Sequence, residues 1–249
     1  MKAIPARLAL GLALGACILL LIGGPGYRLG LWGLGFGLLG AMRYALFLGA
    51  AGAVLALVSL LVRRLRSERV VMLVVACALG TGAALVPLVI RSTADSLPPI
   101  HDITTDTGNP PAFVDILPLR ADAPNPPGYA GDEVARPQRE AYPEITPYTT
   151  GAAPSVLFDQ ALAVARAQGW EIVAADADAG RIEAVATTFW YGFKDDVVIR
   201  IAADGDGSRL DIRSKSRVGR SDLGANAARI RTFLDALDAA EGPSESASS

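Results

Sequence analysis

Residues 1–91 of the 249-residue chain carry nine Lys or Arg and one acidic residue, whereas residues 92–249 carry fourteen Lys or Arg and twenty-four Asp or Glu. The acidic second part argues against nucleic-acid binding, which requires basic surface to displace counterions from phosphates. Both cysteines, Cys17 and Cys77, lie in apolar runs, so the polar part has no cysteine for a disulfide or a thiolate metal site.

Three apolar runs, at about residues 8–24, 44–62 and 70–90, precede the polar part. Each approaches the roughly 20 residues that an α-helix needs to cross a bilayer. The tract RRLRSER at 63–69 lies between the second and third runs, and short Arg-rich loops stay in the cytoplasm. We therefore expect residues 1–91 to be a three-helix region of a bacterial inner membrane, with the N-terminus cytoplasmic and the chain after Arg91 periplasmic.

Glycines in the first part match two patterns. GFGLLG at 35–40 has the spacing of a dinucleotide-binding loop, but no acidic residue follows about 20 positions later. Pairs at GxxxG spacing instead predict close helix packing, namely Gly11 with Gly15, Gly26 with Gly30, and Gly33 with Gly37. LGAC at 14–17 resembles a lipobox, so a lipid anchor on Cys17 is an alternative, although the apolar run continues beyond it.

Residues 92–150 form a Pro-rich segment. Twelve of the sixteen prolines lie between Pro98 and Pro154, a density that argues against regular helices and central strands. The segment still contains aromatic and aliphatic residues, which a free linker does not need. We expect an extended segment packed on the following domain, with 120–140 its loosest part.

The single histidine, His101, begins the motif HDITTD with Asp102 and Asp106. Imidazole and carboxylate groups are metal ligands, so these three residues are a possible polar site. The spacing matches no metal motif and no second histidine completes a set. A hydrogen-bonded turn is the favoured interpretation, and we expect neither a metal nor a cofactor.

Residues 151–240 predict an α+β domain. A helix at 154–168 is followed by strands at 170–175, 181–190, 195–203 and 208–218 and by a helix from about Ser221 to Leu237. Turn residues separate the strands, so they form a four-stranded antiparallel meander with both helices on one face. Residues 241–249 are expected to be a disordered tail.

The last strand alternates apolar and charged residues. With a hairpin turn at DGDG, Arg200 faces Asp211 and Lys215 faces Asp196 across the strands. Three cations remain unpaired on that face, Arg209, Arg213 and Arg217. They form either a solvated basic ridge or a docking site for an anionic partner, such as lipid headgroups or an acidic protein segment.

The segment after this strand contains Ser221, Asp222 and Asn226. Ser221 is interpreted as a helix N-cap, with Asp222 favoured by the helix dipole. A Ser-His-Asp triad would require His101 to lie beside Ser221, and no GxSxG motif accompanies it. Binding of a partner through Ser221, Asp222 and Asn226 also remains an open interpretation.

The motifs IHDITTD, PPAF, GRIEAV, FKDDVVIRI and RSKSRVGRSDLGANAARI resemble the bacterial and plastid family described as domain of unknown function 1499, over about residues 99–238. The resemblance implies an envelope or thylakoid-type location and supplies no reaction, cofactor or catalytic residue. It directs attention to one set, Arg217, Gly219, Ser221, Asp222, Gly224 and Asn226. For Asn226 we expect a side-chain hydrogen bond to a neighbouring loop.

The leading hypothesis is a non-enzymatic binding or scaffolding module of the cell envelope. Its expected partners are membrane lipids and an envelope protein complex, with no nucleic acid. One alternative is an envelope hydrolase or lipid-modifying enzyme that uses Ser221, Asp222 and His101. Another is a lipid-binding domain, with the lipid between the sheet and the Pro-rich segment, where Val185, Phe189 and Val198 share a face.

Overall fold

The structure is a computed structural model that describes residues 4–62 and 69–241. It divides into two compact units. The first comprises the chain up to Ser96 together with Phe189–Gly192, and the second comprises Leu97–Thr188 and the chain from Phe193 onward. The arginine tract, apart from Arg69, and the predicted disordered tail, apart from Glu241, lie outside the described residues.

The first unit consists mainly of three long apolar helices. These are α1 Ile4–Arg28, α2 Ala41–Leu61, which continues a π-helical turn at Gly35–Gly40, and α3 Val70–Ser96. Each is long and apolar enough to cross a membrane, with mean hydropathies of 2.2, 2.2 and 2.4. The three predicted spans are confirmed as helices. α1 extends past its apolar run at both ends, α2 at its N-terminal end and α3 at its C-terminal end, where Arg7, Arg43 and Arg91 also adopt helical backbone.

Small residues let these helices pack closely. A Cβ added at Gly49 would lie 2.6 Å from the Gly80 oxygen, and a Cβ added at Gly52 would lie 3.0 Å from the Ala13 nitrogen. Of the six predicted glycines, Gly37 is also closely packed, since a Cβ added there would lie 2.9 Å from the Gly23 oxygen, whereas Gly11, Gly30 and Gly33 have no neighbour within 4 Å. Glycine spacing therefore predicted close packing but not the face of each helix on which it occurs.

The second unit contains six strands and three α-helices among its described residues. In chain order they are β1 Asp102–Thr104, a 3₁₀-helix Leu117–Arg120, α4 Asp132–Ala141, β2 Tyr148–Thr150, α5 Pro154–Ala167, β3 Glu171–Asp176, β4 Arg181–Thr187, β5 Lys194–Asp204, β6 Gly207–Ser216 and α6 Ala225–Glu241.

All strands pair antiparallel in the order β1-β6-β5-β4-β3, and β2 also pairs with β6. β1 pairs with residues 213–215 of β6 and β2 with residues 208–210. The predicted four-stranded meander is therefore a six-stranded sheet. The sequence did not reveal β1 and β2 because three residues are too few to show alternation.

The Pro-rich segment also forms a helix, contrary to prediction. α4 includes Pro137, which removes one backbone donor from the helix interior. Tertiary hydrogen bonds of the next residue, Gln138, hold α4 in place despite this missing donor. The Gln138 side-chain amide accepts from the Thr104 nitrogen at 3.1 Å and donates to the Thr104 oxygen at 2.5 Å. The predicted loose stretch at 120–140 thus contains most of α4.

The two faces of the sheet are covered differently. α5 and α6 contribute Leu157, Ile230 and Phe233 to the main core, together with inward residues of the strands such as Ile199 and Ile212. The other face meets residues 105–130, which we call the cover. Phe113 and Ile116 of the cover pack on Val185 and Val198.

Candidate functional site

The charged side chains of β6 lie on the sheet face beneath the cover. Leu210 and Ile212 belong to the main core, whereas Arg213 and Lys215 bind residues on the opposite side, as strand alternation predicted. Solvent does not reach the middle of that side, because Arg213 is 2% and Lys215 3% exposed. The predicted ridge of unpaired, solvent-facing cations is wrong.

Asp102 is the carboxylate at the centre of this cluster. It is fully buried and accepts hydrogen bonds from Arg213 Nε and Nη2, both at 2.8 Å, and from Lys215 Nζ at 2.9 Å. Burial lowers the pKa of Lys215, and Asp102 opposes this shift. The bidentate contact with Asp102 fixes both the position and the plane of the Arg213 guanidinium.

Asp196 is the second buried carboxylate. It accepts from Arg217 Nη2 at 2.7 Å and lies 3.2 Å from Arg120 Nη1. Lys215 and Asp196 are Cα partners in the sheet, as predicted. The predicted ion pair between them is wrong, because Lys215 binds Asp102 instead.

A third cluster joins Asp106, Arg200, Arg209 and Asp211. The predicted Arg200–Asp211 pair is confirmed at 2.7 Å. Arg209, predicted to be unpaired, binds Asp106 at 2.8 Å and Asp211 at 3.1 Å. It is the most exposed of the three ridge cations, with 37% of its side chain accessible.

Backbone carbonyl groups of the cover accept further hydrogen bonds from the buried Arg and Lys side chains. A proline has no N–H to place in a ladder, but its carbonyl remains a strong acceptor. The acceptors are Pro111 and Pro127 for Arg213, Gly128 for Lys215, Leu119 for Arg217 and Asn125 for Arg120. Arg213, Lys215 and Arg217 therefore attach the cover to the sheet.

His101, Asp102 and Asp106 have separate partners. His101 Nδ1 lies 3.3 Å from the Arg220 oxygen, Asp102 binds Arg213 and Lys215, and Asp106 Oδ1 accepts from the Gly108 and Asn109 nitrogens. Within residues 4–62 and 69–241, no group of three or more His, Cys, Asp or Glu is placed to hold a metal ion. The Asp106 contacts are those of the predicted turn.

Asn226 connects α6 to β6 and to the segment before β1. Its Oδ1 accepts from Ser214 Oγ at 2.6 Å and Arg229 Nη1 at 2.5 Å. Its Nδ2 donates to the His101 oxygen at 3.1 Å and Ser216 Oγ at 3.0 Å. The fully buried amide thus makes all four of its hydrogen bonds, which extends the single bond to a neighbouring loop expected from the sequence.

The helix begins at Ala225, four residues later than predicted, because Leu223 and Gly224 have φ angles of 53° and 80°. The capping role passes from Ser221 to Asp222, whose carboxylate accepts from the Gly224 and Asn226 nitrogens at 2.9 and 2.8 Å. Burial raises the pKa of Asp222.

The residues of the hypothetical triad make contacts of another kind. Ser221 Oγ accepts from the Leu223 nitrogen at 3.2 Å, and His101 lies against the Arg220 oxygen. In the part of the chain that the structure describes, no hydrogen bond joins His101 to Ser221 or to Asp222. Their visible contacts are those of a loop that caps a helix.

The space between sheet and cover is filled. Val185 and Val198 share a face as predicted and pack against Phe113 and Ile116. Phe189 does not share this face; it lies in the β4–β5 turn and is 84% exposed. The predicted lipid cavity at these residues is therefore occupied by the cover itself.

Two buried side chains near the cover carry polar atoms without a hydrogen-bond partner among the described residues. Arg120 is 3% exposed, its Nε is one of these atoms, and its guanidinium lies 5.1 Å from the Phe113 ring centroid. The Tyr129 hydroxyl is the other, and burial raises the pKa of Tyr129 to about 12. Burial lowers the pKa of Arg120, since the charged form loses solvation.

A model of the DUF1499 family, proteins of unknown function, matches residues 102–237. The chain belongs to this family. No curated protein and no solved structure matches the chain significantly. The DUF1499 region begins at Asp102, the first residue of β1, and therefore includes the cover as well as the sheet and helices.

Sequence reasoning missed Arg120 and Gln138 as parts of the DUF1499 polar network. Both lie in the Pro-rich segment, which showed no periodicity to indicate an inward side. Strand alternation did place Asp196 on the charged face opposite Lys215, but its ion-pair partners are Arg120 and Arg217.

Proposed function

We propose that the protein resides in a bacterial inner membrane and presents its DUF1499 domain in the periplasm as a non-enzymatic binding or scaffolding module. The three apolar helices support membrane insertion. The arginine tract at 63–69 supports the orientation, because positive loops remain cytoplasmic. The C-terminal domain then follows the third span on the opposite side.

The observation that carries the non-enzymatic proposal is the use of the family motif for internal bonds. Arg213 and Arg217 bind buried carboxylates, and Asn226 makes four hydrogen bonds. Groups committed in this way hold the cover and α6 on the sheet. They favour a structural role for the motif and leave recognition to the surface of the cover, where Leu119 and Val114 are half exposed.

Photo-crosslinking in living cells tests this proposal. A photoreactive residue is placed at Leu119 on the cover, and a matched control at Asp206 in an exposed hairpin turn. A discrete protein adduct at Leu119 and none at Asp206 is expected. Steady turnover of an envelope lipid or glycan by the purified full-length chain, lost in Ser221→Ala, would contradict a non-enzymatic module.

One observation favours a second function, binding of a small oxyanion beside Arg120. Four cations, Arg120, Arg213, Lys215 and Arg217, surround only two carboxylates, Asp102 and Asp196. A surface pocket of about 530 Å³ adjoins Arg120. A buried cationic surplus with an unsatisfied donor favours an anion, because neutral carbonyls do not cancel net charge.

Inorganic phosphate serves as the probe for this second function. Phosphate is expected to raise the melting temperature of the full-length chain in detergent, since a ligand that binds only the folded state stabilises it. Arg120→Met should remove the increase, while Arg231→Met, at an exposed ion pair with Glu144, should keep it. Equal increases in all three chains would contradict a site at Arg120.

A further inference from the structure

The two ends of the sheet differ in chemistry. One end carries the β3–β4 and β5–β6 turns, with Asp178 and Asp206 in the turns and Asp176 and Asp204 at the strand ends that lead into them. The β4–β5 turn lies at the other end, between the paired residues Thr187 and Lys194, and reads TFWYGF at 188–193. Three consecutive aromatic residues at a hairpin tip contribute nothing to the sheet core, so they call for another environment.

The aromatic residues themselves group with the apolar helices. Phe189–Gly192 belong to the first unit, in which Arg28 Nη1 donates to the Phe189 oxygen at 2.7 Å and Tyr191 OH donates to the Gly37 oxygen at 3.2 Å. Arg28 ends α1 and Gly37 precedes α2, so both mark the ends of candidate spans. Phe189 remains 84% and Trp190 39% exposed.

We propose that the β4–β5 turn is an interfacial membrane anchor, with Phe189 and Trp190 inserted among the lipid headgroups. Tryptophan and tyrosine favour this depth because their rings are apolar at one end and hydrogen-bonding at the other. The acidic turns lie at the opposite end of the sheet from this anchor. The inference rests on the proposed membrane location but not on its orientation.

Spin-label accessibility in reconstituted bilayers tests the anchor. The full-length chain carries Cys17→Ala and Cys77→Ala, plus either Phe189→Cys or, as the matched control, Asp206→Cys at the acidic end. Both labelled positions are exposed, so the fold should tolerate them. Vesicles of phosphatidylethanolamine and phosphatidylglycerol are used, and flotation confirms that the chain is membrane-inserted.

The label at 189 is expected to collide several-fold less often with a water-soluble nickel chelate than the label at 206, and more often with oxygen, which concentrates in lipid. Equal chelate access at both positions in a floating chain would overturn the anchor alone. Shielding of position 189 from both reagents would also overturn it, because protein rather than lipid then covers the turn. A chain that does not float would overturn the membrane location and the anchor together.

Discussion

Arg213 on β6 and Asp102 on β1 form a bidentate ion pair, in which both N–O distances are 2.8 Å, although 111 positions separate the two residues in the chain. Both side chains are almost fully buried. Arg213 also lies 4.8 Å from the Phe113 ring centroid, so one guanidinium connects the first strand, the last strand and the cover. A buried charge with several partners is costly to leave unpaired.

Asp102→Asn should therefore lower the free energy of unfolding by about 3–5 kcal/mol, because Arg213 and Lys215 lose their shared counter-ion while remaining buried. Denaturant unfolding of the purified chain in micelles, followed by tryptophan fluorescence, measures this loss. Asp115→Asn is the control: it removes a half-exposed ion pair to Arg181 and should change stability by less than about 1 kcal/mol. Equal losses in the two variants would contradict a central role for Asp102.

Asn226→Ala should destabilise the domain by about 3 kcal/mol, since buried groups on Ser214, Ser216 and His101 lose their partner. Thr232→Ala, on the exposed side of α6, is the matched control and should have little effect. Thermal unfolding followed by circular dichroism compares them. An Asn226→Ala chain as stable as the control would show that α6 is held by its apolar residues alone.

Asp222 predicts a pH dependence of stability. Its pKa is raised above 3.8 by burial, so the folded chain retains this proton to a higher pH than the unfolded chain. The stability that Asp222 contributes is greatest below pH 3.8 and falls as pH rises through the folded pKa. Between pH 3.8 and the folded pKa of Asp222, the free energy of unfolding of the wild type should therefore fall relative to that of Asp222→Asn as pH rises. Parallel profiles would contradict the raised pKa.

Gly49→Ala should weaken the packing of α2 on α3 by about 1–3 kcal/mol, because the added methyl group meets rigid backbone. Its distance to the Gly80 oxygen would be 2.6 Å. Gly82→Ala is the matched control, since no atom lies within 4 Å of a Cβ there. The stability of both variants is measured by the loss of helical circular dichroism on titration with a denaturing detergent. A Gly82→Ala chain that is destabilised as much as Gly49→Ala would contradict the contact between Gly49 and Gly80.

Local patterns predicted the parts of the fold that depend on neighbouring residues. The apolar runs gave the three long helices, and alternation gave β3 to β6 with the Arg200–Asp211 pair. The positive φ of Gly169 confirms the predicted end of α5. The next residue, Trp170, stacks on Phe233 with the two ring centroids 5.3 Å apart.

Long-range partners could not be predicted in this way. The acids that neutralise Arg209, Arg213 and Arg217 are Asp106, Asp102 and Asp196, of which two lie about a hundred positions earlier. A strand pattern indicates that three cations share a face, but not what covers that face. The prolines of the cover concealed its ordered structure, because their usual association with irregular backbone says nothing about burial.

The pairing of β1 with β6 has a consequence for biogenesis. Asp102 leaves the ribosome before Lys215 is made, and at about 5–20 residues per second the delay is roughly 5–20 s. During this time β1 and β2 have no partner strand, because each pairs with β6. The sheet is completed only when its last strand arrives, so a chain truncated before β6 leaves Asp102 without Arg213 and Lys215, the two cations that neutralise it in the folded domain.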